Sequence, residues 1–153
     1  MRTTQMYFNL FGIKAVIWKK AYRPKYFING SKEPQKDHDN IGYHVVAPLL
    51  VKIITLNFAA AITLFPFVFY RSKFYIKRDE MRRHESIHIA QQIELLVIGF
   101  YILYLFFYLQ NRFRKMNHKT AYREIPFEIE TRSYENAYGY LEVRKKYAWT
   151  KYV

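Results

Sequence analysis

The chain has 153 residues, enough for one domain with a buried core, and residues 1–153 are read as a single domain. It contains no cysteine, which excludes disulfides and thiolate-held metal or iron–sulfur sites, so any metal must be held by histidine and carboxylate. Twenty-five Lys and Arg against twelve Asp and Glu give a net charge of +13, which favours an anionic partner, either nucleic acid or an anionic membrane face. Aromatic residues make up 20% of the chain, many beside Lys or Arg, as in "YRSKFYIKR" and "KKYAWTKYV". That pairing is typical of membrane interfaces and is shared with single-strand nucleic-acid grooves. No RNP-like, zinc-finger or helix-turn-helix signature accompanies it, so nucleic acid is not expected as a partner.

Residues 1–57 are expected to form strands and loops. "YFNLFGIKAVIW" (7–18) is apolar, but Lys14 interrupts it and no small-residue cleavage site follows. It reads as a strand or short helix rather than a signal peptide. "NGSKEPQKDHDNIG" (29–42) is a polar, turn-rich loop. Its Asp37-His38-Asp39 cluster has metal-binding residue types, but nothing nearby completes a coordination set, so a solvated loop is expected.

Two long apolar runs follow. "IITLNFAAAITLFPFVFY" (53–70) is long enough for a membrane span, yet Asn57 and Pro66 interrupt it and its Ile, Val, Phe, Thr and Tyr favour strands. A strand pair or bent strand over "AAAITLFPFVFYRSKFYI" (59–76) is the expectation. "LLVIGFYILYLFFYL" (95–109) would extend about 22 Å as a helix, short of a hydrocarbon core of about 30 Å. Gly99 is read as a bend. Basic residues flank both runs: Lys19, Lys20, Arg23, Lys25 and Lys52 before them, Arg71, Lys73, Lys77, Arg78, Arg82 and Arg83 between, and Arg112, Arg114, Lys115 and Lys119 after. No orientation satisfies the positive-inside rule, so both runs are expected to dip into one leaflet or to pack on each other.

Between the runs lies "MRRHESIHIAQQIELL" (81–96). On a helix, His84 and His88 differ by about 40°, so both imidazoles reach one side and can share a tetrahedral ion. Glu85 is offset by about 100°, which suits a general base beside the metal better than a ligand. Asp79 and Glu80 fall in the first turn, where negative charge is favoured, and Gln91 continues the histidine face. A third ligand is required. Glu94 is one candidate, but an unbroken helix turns it about 100° away from the histidine pair. The other candidates lie in "YREIPFEIETRSYENAYGYL" (122–141), where Pro126 suits the first turn of a helix carrying Glu128 and Glu130. Glu130 is expected on an exposed face as a solvated charge.

His84-Glu85-Ser86-Ile87-His88 with "PFEIETRSYE" some forty residues on resembles a minimal gluzincin-type zinc metallopeptidase domain over residues 58–136. It is similar to small bacterial HExxHxxQ domains, and more distantly to membrane zinc proteases of the HtpX type. The resemblance implies an α+β, zincin-like fold. Short strands precede the HExxH helix, then come an apolar helical hairpin and C-terminal helices. It implies Zn2+ held by His84, His88 and Glu128, with Glu85 as general base toward a peptide or protein substrate. It also implies a place on a bacterial inner membrane with the site on the cytoplasmic side. The aspartate of the family's ExxxD motif falls on Arg132, a departure that removes the usual orienting carboxylate. Tyr122, Tyr134, Tyr138, His118 and Arg132 are the candidates for stabilising an oxyanion.

If Glu128 is a ligand, residues 95–109 cannot cross a bilayer, because His84 and Glu128 would then face opposite sides. The run is therefore read as a re-entrant, interfacial or protein-packed hairpin. "YGYLEVRKKYAWTKYV" (138–153), within a basic aromatic segment 137–153, either lies on an anionic membrane or covers the domain with Trp149 inward. A membrane-associated zinc metallopeptidase is the first reading. The second is a non-catalytic subunit of a membrane assembly with a structural or degenerate metal site.

Overall fold

The computed structural model describes the backbone of residues 5–10 and 13–18 and the whole of residues 40–153. Strands β1 (Gln5–Leu10) and β2 (Ile13–Trp18) pair antiparallel, from Gln5 opposite Trp18 to Leu10 opposite Ile13. The described residues of the apolar run 7–18 are thus strand rather than helix. The Asp37-His38-Asp39 cluster, with most of the polar loop, lies outside the described residues.

A second sheet forms the floor under the histidine helix. β3 (Tyr43–Val46) pairs parallel with β5 (Phe67–Tyr70), and β4 (Ala61–Leu64) pairs antiparallel with β5, giving the order β3-β5-β4. The strand pair expected over 59–76 is β4 and β5, turned at Phe65 and Pro66, while Lys73–Ile76 at its end is helical instead. Val68 and Tyr70 of the central strand are fully buried. Gly42 leads into β3 with φ +90°, and a Cβ there would come 2.9 Å from the Pro66 carbonyl oxygen, so only glycine fits.

Helix α1 (Pro48–Ile54) corrects the expectation of strands and loops alone before residue 58. Pro48 occupies the first turn, where its fixed φ suits a helix start, and Val51 is fully buried. Ile53 and Ile54, the start of the apolar run, therefore finish this helix. After α2 (Lys73–Ile76) comes α3 (Asp79–Glu94), which carries the HExxH residues and begins at the acidic pair as expected.

α3 and α4 (Ile98–Phe113) meet at an angle of 111°. The bend is not at Gly99, which lies inside α4, where a Cβ would meet only Leu95 Cβ at 3.5 Å. It is made by Leu96 and Val97, both left-handed at φ 53° and 63°. Two successive non-glycine residues in that region store strain, which the packing of the flanking helices must hold. α5 (His118–Arg123), α6 (Pro126–Tyr134), α7 (Tyr140–Val143) and a 3-10 helix (Ala148–Tyr152) complete the chain. Pro126 opens α6 as anticipated. The architecture is α+β. No single described helix is long and apolar enough to cross a membrane; α3 and α4 reach that composition only as a bent pair.

Two apolar clusters flank α3. Val46, Val68, Tyr70, Ile76 and Ile89 pack between sheet and helix, while Phe100, Phe107, Ile125, Phe127 and Trp149 join α4, α6 and the terminus. Trp149 is therefore inward, the second of the two readings for the C-terminal segment. Between the clusters α3 buries Glu85, His88, Gln91 and Gln92. A helix buried on a polar face needs internal partners for those groups, and their pairing builds the site.

Candidate metal centre

α3 sets His84 and His88 one turn apart, and α6 brings Glu128 to them. Ile125 and Phe127, both fully buried, anchor the first turn of α6, so the next residue, Glu128, is drawn inside with only 1% of its surface exposed. Its Oε1 lies 3.1 Å from His88 Nε2 and its Oε2 lies 3.7 Å from His84 Nε2. One ligand atom from each residue lies within 4.8 Å of the others, so the group can hold a metal ion.

The outer ring nitrogens are tied down. His84 Nδ1 donates to Glu135 Oε2 at 2.9 Å, and His88 Nδ1 donates to Gln91 Oε1 at 2.8 Å. The Gln91 amide is oriented by its own donors, which reach the Phe127 carbonyl at 3.2 Å and Glu130 Oε2 at 3.0 Å. Its oxygen must therefore face His88. With both Nδ1 atoms donating, the Nε2 atoms present lone pairs toward an anionic carboxylate. Lone pairs and a carboxylate facing each other at these distances need a cation between them, either a proton or a metal. This is the donor set and the outer hydrogen bonding of a metal centre, and the residues fit such an ion.

In the metal-free protein the cation is a proton. Burial pulls His88 down, but the charge and hydrogen bond of Glu128 outweigh it and lift His88 to about 9. Burial pushes Glu128 up, but His88, His84 and Arg132 together bring it down to about 2. Tyr104 donates to Glu128 Oε1 and Arg132 Nη2 to Oε2, each at 2.8 Å. Burial, with the Glu128 charge, holds the Tyr104 and Tyr122 phenols well above their usual range, so both remain donors.

Glu85 stands apart from the ligand face, as its helical offset predicts. It is 6% exposed, and Thr63 of β4 donates to its Oε2 at 2.5 Å. Two cavities meet here. One, of about 670 Å³, is lined by Glu85, His88 and Glu128. The other, of about 320 Å³, is lined by Glu85 and His84.

Other expectations divide. Glu94 is away from the triad, paired with Arg144 at 2.5 Å. Glu130 is not a solvated charge; it is fully buried, held by Arg144 at 2.5 Å and by the Tyr140 hydroxyl at 2.9 Å. α6 packs against α3 on one side and the terminal segment on the other, leaving this short helix little exposed face. Of the oxyanion candidates, Tyr122 lines both cavities and Arg132 the smaller one. His118 sits in the larger, bonded to Tyr108, while Tyr134 and Tyr138 line neither. Arg132 stands four residues after Glu128, where an ExxxD motif would have its aspartate, and Glu135 supplies a carboxylate to His84. Its spacing carried a signal, since residues seven apart share a helix face. Tyr104 carried none, being one aromatic among many in the apolar run.

Comparison of the chain with protein-family models, with curated proteins and with solved structures returns no match in any of the three.

Proposed function

We propose that the protein is a membrane-associated zinc metallopeptidase with a zincin-like core. The observation that carries this reading is the convergence of His84, His88 and Glu128 with both Nδ1 atoms already occupied. Two imidazoles and one carboxylate, without thiolate, are a usual protein set for a catalytic zinc. Zinc held there supplies Lewis acidity to a water molecule and to an amide carbonyl.

The remaining chemistry falls to side chains. Thr63 fixes one oxygen of Glu85 and leaves the other to take a proton from water and pass it to the leaving amine. Tyr122, a protonated phenol that lines both cavities, is the candidate donor for a developing oxyanion, whereas Tyr104 already gives its hydroxyl to Glu128.

The membrane part rests on α4. Ile98, Ile102, Leu105, Phe106 and Phe113 are 55–84% exposed, and Leu49, Ile53 and Leu56, in and just after α1, are 66–87% exposed. An apolar surface of this kind on a monomer marks an interaction site. Lys52, Arg112, Arg114 and Lys115 stand beside it, which matches an anionic bilayer face. Zinc content, together with hydrolysis of peptides by the wild type and by Glu85→Gln, tests the reading.

A further inference from the structure

The two cavities differ in chemistry, and the triad stands at their junction. The larger is lined mostly by apolar surface, with Ile54, Leu56, Ile62, Phe100, Tyr101 and Leu105 among its walls. The smaller is edged by Lys119, Arg123 and Arg132. Its two carboxylates are already engaged, Glu135 by His84 and Glu85 by Thr63. Arg132 is engaged as well, donating to Glu128 and to the Arg123 carbonyl. Lys119 and Arg123 are exposed and form no ion pair among the described residues.

His88 and Glu128 line the apolar cavity, His84 lines the basic one, and Glu85 lines both. A bond cleaved at this junction therefore has one flank in each. Resting on the peptidase reading, we propose that the substrate is a peptide with a large apolar side chain on one side of the scissile amide and a carboxylate on the other. The apolar side chain gains by leaving water, and the carboxylate gains by meeting two cations that form no ion pair among the described residues. A lysine at the second position would meet like charge.

Fluorescence anisotropy tests this with labelled peptides whose central pairs are Phe-Asp, Asp-Phe, Phe-Lys, Lys-Phe and Phe-Leu. The proteins are metal-free wild type and zinc-loaded Glu85→Gln. One of the two acidic orders is expected to bind about fivefold more tightly than its lysine counterpart, the scale of about 1 kcal/mol for ion pairing at an open site. Lys119→Gln with Arg123→Gln should erase the preference, and Lys119→Glu with Arg123→Glu should reverse it. Equal binding of Asp and Lys peptides, or a preference untouched by the charge reversal, overturns the assignment. Cleavage of the same peptides by zinc-loaded wild type is read separately. Cleavage without charge preference overturns this inference and leaves the peptidase reading standing. A charge preference in binding with no cleavage of any peptide overturns the peptidase reading and keeps the cleft assignment.

Discussion

His84 Nδ1 lies 2.9 Å from Glu135 Oε2, while the opposite nitrogen of the same ring faces Glu128, seven residues earlier in the chain. One helix and its C-cap therefore supply both the carboxylate of the candidate metal group and the carboxylate that orients one of its histidines. Glu135 is held in place independently of its side chain, because Arg83 donates to its main-chain carbonyl. Glu135→Ala should thus keep the fold and loosen the ring. The expected result is a 10–100-fold loss of metal affinity, the usual effect of removing such a partner. Competition with a colorimetric chelator measures it, and an unchanged affinity would deny Glu135 the orienting role.

The ligand set makes a sharper forecast. Protein purified without chelator or affinity-tag metal should carry about one zinc per chain. His84→Ala, His88→Ala and Glu128→Ala should each remove most of it. Glu94→Ala should not, because Glu94 faces Arg144 at 2.5 Å and not the histidines. That variant should instead lose stability, since Arg144 keeps a buried charge with one partner fewer. Elemental analysis decides the first part, and zinc retained in Glu128→Ala but lost in Glu94→Ala would reassign the third ligand.

How far the sequence alone reached follows from physical range. The helical offset of 40° between His84 and His88, the displacement of Glu85 from their face and the start of α6 at Pro126 are local consequences of helix geometry, and they were legible. Glu130 was misread because burial of a short helix on two sides is a tertiary fact. Glu135 lay within the quoted stretch, seven residues beyond Glu128, but only the fold shows that the chain turns it toward His84. The bend at Leu96 and Val97 was assigned to Gly99 because glycine is the ordinary residue for positive φ, and here packing holds two bulky residues there.

Acidity separates the metal-free and metal-bound states. His88 in the metal-free protein is raised to about 9, largely by Glu128 against the opposing effect of burial. Its folded value exceeds its unfolded one, so the pair's contribution to stability is complete below about 6.5 and is lost as pH rises through about 9. Metal affinity moves the other way. The ligand is neutral imidazole, so affinity should rise about tenfold per pH unit from about 7 to 9 and then level off. Calorimetry at pH 7 in buffers of different ionisation enthalpy should register about one proton released from His88 per metal bound. Zero proton release would remove the imidazolium–carboxylate pair from the metal-free state.

The exposed face of α4 makes a prediction about lipid. Ile102 and Phe106 are 63% and 55% exposed, so replacing them should cost the fold little. Ile102→Glu with Phe106→Glu should abolish flotation with vesicles containing anionic phospholipid, and Arg114→Glu with Lys115→Glu should weaken it in a salt-sensitive way. Equal flotation of wild type and the Ile102→Glu, Phe106→Glu variant would rule out this face as the lipid contact. Failure of the wild type to float at all would leave the face to a protein partner, as in a non-catalytic subunit of a membrane assembly.

Glu85→Gln separates binding from catalysis. Glu85 is buried and its Oε2 accepts from Thr63 at 2.5 Å, a bond that the carbonyl oxygen of glutamine can also accept. The substitution preserves volume and most of the hydrogen bonding, and it leaves His84, His88 and Glu128 untouched. Zinc content should be the same as in wild type. The amide cannot take a proton from water, however, and loss of a general base lowers turnover by about 10²–10⁴-fold. Thr63→Val should act in the same direction but more weakly, because it frees the carboxylate to rotate without removing its basicity. The assay requires detergent or lipid, given the apolar face of α4. Equal cleavage by wild type and Glu85→Gln would place any measured hydrolysis outside this site. Zinc retained in both proteins, with neither cleaving any peptide offered, would move the metal centre from catalysis to structure.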